Sequence, residues 1–392
     1  MNLEHLQQHE LTRRKALGLA GAAAVTAVAG SAGPAAAAPE APDRFDDQMF
    51  DVAAVEAGAW APTRYGPGDQ RGAFNEVTPR KTAQALRLLD TGRPVATYNL
   101  GELMVNGFPA FVTTPPRVYR QRLTVLGYNP GPDFDGILQG TEPLGPNRVS
   151  VHEERFDTPP GFDVTYTYQI GTQLDNLNHI GVGATFYNGF KGPDLAATSG
   201  TRRLGNEHMG PIVTRGLLLD VLGLKIRQGV RSAYFTAANG EKVLKETYRI
   251  TVEDIQACLR RARLGDVLPG DVVLLRTGWT HLTRSDPERY VGGEPGIYLR
   301  EARYLAHRRP AIIGGDGWAL EVLDPAVTKG NAFPVHQLLL VKHGIRIGEG
   351  IRSEELAGDG VHEFVYLVTP QYARGATAGN TPPAALANRW RY

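Results

Sequence analysis

The second half of the chain alternates short apolar runs with amphipathic helical patterns, and this alternation narrows the possible folds more than any other feature. VTRGLLLDV (Val213–Val221), DVVLLR (Asp271–Arg276), PAIIG (Pro310–Gly314) and the run Ile345–Ile351 are brief and mostly apolar, as strands are. Between them lie helical patterns at Val252–Arg263, with Thr251 as cap, and at Leu299–His307, then a helical turn or short helix at His336–His343. Glu363–Val368 closes the series as a further strand. Strands apolar on both faces need cover on both faces, so the order predicts an α/β protein with a mixed sheet between helical layers.

The first half is less regular. Asp43–Tyr65 reads as a short amphipathic helix and a loop. Thr78-Pro79 then supplies a cap and a first-turn proline to RKTAQALRLLDTG, a helix closed by Gly92. Val95–Leu100, Val118–Leu126 and Val164–Leu174 read as strands, and Gly127–Asn147, rich in Gly, Pro and Asp, as a long loop. No repeat of fixed period and no linker-like change of composition interrupts the 392 residues, so one large domain is expected over residues 39–392. Residues 1–38 read as an export leader instead. Arg13-Arg14-Lys15 precedes a mildly apolar Ala/Gly stretch ending in small residues, the pattern of a twin-arginine signal cleaved near Ala37 or Ala38. That stretch is too weakly apolar for a membrane anchor. The protein is therefore expected outside the cytoplasm, periplasmic or extracellular.

A net charge of +1 gives no reason to expect nucleic acid or an acidic membrane surface as partner. The single cysteine, Cys258, excludes an intramolecular disulfide and a multi-cysteine zinc site, and its helical context predicts a buried thiol. HExxH, GxSxG, the phosphate-binding GxxxxGK[ST] and a glycine fingerprint between strand and helix are all missing.

Candidate chemistry concentrates in Gln169–His179, QIGTQLDNLNH. Upstream and through this stretch apolar and polar residues alternate, which places Gln169, Gln173 and Asp175 on one face of a strand. His179 follows four residues after the carboxylate. Such a face more often simply meets water, but it would also hold a metal or a polarised substrate beside a titratable base. His336 and Glu349 form a second pair, set across a helix-to-strand turn in FPVHQLLLVKHGIRIGEGI. Phe186, Tyr187, Trp279 and Trp318 are candidates to line an aromatic pocket, with core packing the commoner role for each.

The stretch resembles the signature of the metal-dependent cyclase family, which includes bacterial kynurenine formamidase and isatin hydrolase, and which reads His-x-Gly-Thr-His-x-Asp-x-x-x-His. GAFNEVTPRKTAQALRLLDTGR, FYNGF, IVTRGLLLDV, PGDVVLLRTGW, GGDGWALEVL and PVHQLLLVKHGIRIGE are similar to further segments of its larger members. The resemblance runs from about Gly66 to Leu386. It implies a swivelling β/β/α fold, with a central mixed sheet partly closed into a barrel and helices outside. It implies a divalent metal and hydrolysis of a small amide, lactam or ester, and commonly a homodimer or homotetramer. Asp175 matches the signature's ligand aspartate and His179 its acid–base histidine, while His336 and Glu349 resemble later ligands of members with a second metal position. Gln169 and Gln173 stand where the signature has its first two histidines. An amide oxygen is a harder and weaker ligand than imidazole, so a zinc or manganese ion would lean on Asp175, His336 and Glu349, with the glutamines as weak metal or substrate contacts. Two alternatives stay open: a lyase or cyclase acting on a small metabolite, and a metal-free binding protein on the same fold.

Overall fold

Alternate residues of the central strands fall into two separate apolar clusters, and that division buries the sheet on both sides. Leu217, Leu219, Val273, Leu275, Ile313 and Ile347 belong to one cluster, whereas Leu218, Val272, Leu274 and Ile312 belong to the other. Each such side chain removed from water contributes about 1.5–3 kcal/mol before entropy is counted.

The computed structural model describes residues 45–158 and 167–388. The leader expected over residues 1–38 lies outside them. The described residues fall in one compact unit. Nine strands make its main sheet: β1 (Val95–Asn99), β2 (Gln173–Asp175), β3 (Ile212–Asp220), β4 (Val272–Arg276), β5 (Ile312–Gly315), β6 (Arg346–Glu349), β7 (Glu363–Val368), β8 (Ala378–Gly379) and β9 (Ala384–Asn388). Their order across the sheet is β1-β9-β7-β3-β4-β5-β6-β2-β8, curled into a half-barrel. The four in the middle, β3 to β6, run parallel, and the flanking pairs are antiparallel. This is the mixed α/β architecture expected from the alternation.

The helices form where caps and periodicity place them. Helix α1 (Pro79–Leu86) starts at Thr78, whose hydroxyl accepts from Lys81 N–H at 3.2 Å. Helix α2 (Val252–Arg261) carries a reciprocal cap between Thr251 and Asp254 and buries Ile255, Cys258 and Leu259 against the sheet. Helix α3 (Leu299–His307) lays Leu299, Ala302 and Leu305 on the same cluster. Among the described residues no helix is long and apolar enough to cross a membrane.

Three expectations change. The run expected to be a loop from Gly127 to Asn147 contains a strand, Ile137–Gly140, which pairs with Gln121–Leu126 in a small three-stranded sheet completed by Val151–Phe156. A strand of four residues flanked by Gly and Asp leaves too short an apolar run to stand out. The segment expected as a helical turn or short helix is helical and differs only in type, opening with Pro334–His336 and continuing as a π-helix, Gln337–His343. Most consequential, the strand expected over Val164–Leu174 is reduced to β2, and its first residues lie outside those described. From Tyr168 to Thr172 the chain bends instead of pairing. Asn380 Nδ2 donates to the carbonyls of Tyr168, Ile170 and Thr172 at 2.9–3.0 Å, and Gly171 takes a left-handed φ of 66°. A side-chain amide thus occupies carbonyls that a neighbouring strand would have used.

Candidate active site

The site is assembled by strand register. Strand β2 pairs antiparallel with β6, setting Gln173 opposite Glu349 and Asp175 opposite Ile347. Gln173 Nε2 accordingly donates to Glu349 Oε2. His336 comes from the turn before the π-helix and brings Nε2 to 3.1 Å from Glu349 Oε1 and 3.7 Å from Asp175 Oδ2. His179 reaches the same carboxylate from the other side, with Nε2 3.8 Å from Asp175 Oδ2. One ligand atom from each of Asp175, His336 and Glu349 lies within 4.8 Å of the others.

All six residues singled out in the sequence converge here, and all but His179 are buried. Gln169 joins them not by strand alternation but by the bend at Gly171. Its amide nitrogen lies 3.2 Å from His179 Nδ1. His152, His208 and His362 make their contacts elsewhere. Of the four aromatics, Tyr187 and Trp279 are core residues, Phe186 packs against the core, and Trp318 lines the site.

Two participants gave no sequence signal strong enough to single them out. Glu321 is fully buried, and its carboxylate accepts from His336 Nδ1 at 2.7 Å and from the backbone N–H groups of Val335 and His336 at 3.2 Å. Its one trace in the sequence is an acid set among apolar residues in WALEVL, which demands a buried partner. Arg117 arrives on the long segment between β1 and the small sheet and lines the same cleft as Gln169, Gln173 and Glu349. Its position is purely tertiary.

The electrostatics are those of a site short of positive charge. Burial pushes the Asp175 carboxyl up, and Glu349 adds to that shift. Burial pulls the His179 imidazole down, which favours its neutral form, although Asp175 opposes this. For His336 burial acts downward too, but the hydrogen bonds to Glu321 and Glu349 outweigh it and hold the ring protonated well above its ordinary range. Burial also lowers the Arg117 guanidinium, while Glu349 and Asp175 pull it back up.

Four buried oxygens here have no hydrogen-bond partner: both carboxylate oxygens of Asp175, and the amide oxygens of Gln169 and Gln173. Unpaired buried acceptors cost roughly 1–3 kcal/mol each, more when charged. Acceptors gathered around two carboxylates fit a cation, and a metal ion suits them because Asp175, Glu349 and His336 supply oxygen and imidazole ligands. The cleft is tight, about 20 Å³, room for one water. Pro109, Ala110, Phe111 and Arg117 close it from above, and Phe111 stacks on Trp318 with ring centres 4.9 Å apart.

The family model described as "Putative cyclase" matches residues 99–322. Among solved structures, one described as a novel cyclase is 27% identical, with a TM-score of 0.64 over 82% of this chain and 97% of that one. An isatin hydrolase bound to the product analogue thioisatinate is 14% identical, with a TM-score of 0.50 over 79% of this chain and 99% of that one. Isatin hydrolase A from Labrenzia aggregata bound to benzyl benzoate is 15% identical, with a TM-score of 0.50 over 78% and 98%. At such identities the last two show a shared fold and nothing finer. No curated protein matches the sequence.

Proposed function

Because the chain belongs to the cyclase family, we propose that it is a metal-dependent hydrolase of a small amide, lactam or ester, acting on a C–N bond in the amide and lactam cases, with His179 as general acid–base. The observation that carries this reading is the set of unpartnered buried oxygens of Asp175, Gln169 and Gln173, facing a neutral imidazole.

Asp175, His336 and Glu349 would hold the ion, zinc or manganese, with the glutamine oxygens nearby. So oxygen-rich a set favours manganese over zinc more than a histidine-rich one does. A divalent cation there supplies the positive charge that acidifies water toward neutrality and polarises a carbonyl. His179 takes the proton from the attacking water as its oxygen bonds to the carbonyl carbon. It then hands that proton to the departing nitrogen or oxygen as the scissile bond breaks. Gln169 positions the ring throughout. Its amide lies 3.2 Å from Nδ1 and fixes that side of the ring, which leaves Nε2 on the Asp175 side to take up and return the proton. Phe111 must leave Trp318 before a substrate enters, and a flat substrate ring would take its place on the indole. We also propose that the Arg13-Arg14 leader exports the protein.

The test is metal analysis of protein purified without added metal, followed by turnover assays on formyl-anilines, isatins and simple lactones. About one zinc or manganese per chain, lost in Asp175→Ala, with hydrolysis by the loaded protein, is expected. His179→Ala should keep the metal and lose roughly 10²–10⁴-fold in turnover. A metal-free protein that gains no activity on reconstitution would end the hydrolase reading and favour a binding protein on this fold.

A further inference from the structure

The π-helix that follows His336 ends at Lys342 and His343, and both line a second cavity, of about 680 Å³. Arg64, Arg309 and His307 complete its basic wall, and none of its lining residues is acidic. Arg309 is paired with Glu76 at 3.1 Å. Arg64 and Lys342 have no carboxylate partner among the described residues, and the Lys342 ammonium lies over the Trp60 ring, 5.6 Å from its centre. The crowding of like charge is felt by its members. His343 is pushed down to about 3, first by burial and then by Lys342, Arg64, Arg303 and His307, and Lys342 is lowered by burial and by Arg303.

Basic residues on a convex surface are normally solvated and need no explanation. Here they surround a hollow of the size that holds small metabolites, and of its three cationic chains only Arg309 has a carboxylate partner among the described residues. From this geometry we infer that the cavity is a binding site for a small multivalent oxyanion, a phosphate-bearing or polycarboxylate metabolite, gripped by Arg64, Lys342 and Arg309 with Trp60 as a flat wall. Guanidinium forks match such oxyanions in two-point contacts, and the lysine adds a point charge. The site is separate from the cleft at Asp175, with which it shares no lining residue.

The experiment is calorimetric titration of the full chain at low salt with pyrophosphate, AMP and citrate, and with acetate as monovalent control. One pyrophosphate, AMP or citrate per chain is expected to bind saturably and more weakly at high salt, while acetate does not bind. Pyrophosphate or AMP binding without citrate would identify the ligand as a phosphate, and the reverse as a polycarboxylate. Tighter binding of AMP than of pyrophosphate would place a ring against Trp60. The double substitution Arg64→Ala, Lys342→Ala should weaken binding at least about tenfold. Both side chains are exposed, and an unchanged melting temperature checks that the variant is folded. Asp175→Ala should leave the titration unchanged, which separates this site from anion capture at the proposed metal centre and makes its outcome independent of the hydrolase reading. The inference is overturned if no multivalent anion binds at millimolar concentration, or if binding survives the double substitution. It is also overturned if that substitution dissociates an oligomer of a protein that binds no anion, since the basic wall would then serve an interface between copies.

Discussion

Replacing Asp175 with Asn separates the proposed function of this carboxylate from its effect on stability. Asp175 is fully buried, and neither of its oxygens accepts a hydrogen bond. Burial raises its carboxyl from 3.8 to about 6, against the opposing pull of His179 and His336. At about 1.36 kcal/mol per pH unit, an ionised Asp175 costs the metal-free folded protein on the order of 3 kcal/mol at pH 7. The sign follows from proton counts. Between the unfolded and folded values the folded state holds more protons, so stability falls as pH rises through this window. The cost is absent below the unfolded value and complete above the folded one. Asparagine has the same shape and no charge, so it removes the cost. With an unfolding entropy of ~2.1 cal/mol/K per residue over about 350 residues, the metal-free variant should melt ~4 °C higher at pH 7. That gain should vanish near pH ~4. Thermal melts of chelator-treated protein across pH, repeated with added manganese, read both effects. The wild type should gain stability on adding metal and the variant should not. A variant that melts no higher than wild type at pH 7, or that keeps its advantage in acid, would refute the argument that Asp175 is an unrelieved buried charge waiting for a cation.

Other consequences follow from the same geometry. Gln173→His should tighten zinc relative to manganese, read by competition with a fluorescent chelator, and an unchanged preference would mean that Gln173 does not face the ion. Glu321→Gln should weaken metal binding by about 10–100-fold, because it removes the partner that orients His336, while leaving the fold intact by circular dichroism. Metal uptake should release protons near neutral pH and weaken in acid. His336 is held protonated in the metal-free protein, and a ligand nitrogen must give its proton up. Calorimetry in buffers of different ionisation enthalpy would show this, and an identical heat in every buffer would contradict it.

Much of the architecture was legible because its causes are local. Thr251 caps α2 in sequence as it does in space, and the apolar runs around Leu217, Val273 and Ile313 require burial on two faces wherever they lie. The site was legible to the extent that its residues lie at strand ends: Asp175 closes β2 and Glu349 closes β6. The bend at 168–172 was not legible, because period-two patterning records which faces a chain can present and not whether a neighbouring strand is available to pair with it. Asn380, more than two hundred residues away, settles that question by taking the carbonyls. Glu321 and Arg117 escaped for the same reason, since a lone charge in sequence does not name its partner.

The sequence by itself determined the layered α/β sheet and the capped helices, and its resemblance to the cyclase signature picked out the candidate ligand residues, including the oxygen-rich departure at Gln169 and Gln173. Only the tertiary structure decided that Gln173 donates to Glu349, that both glutamine oxygens are buried without a partner, and that His336 is clamped between Glu321 and Glu349. The physical reason is range. Caps and periodicity act within a few residues of chain, whereas the charge balance of a buried site is set by groups that only folding brings within a few ångströms.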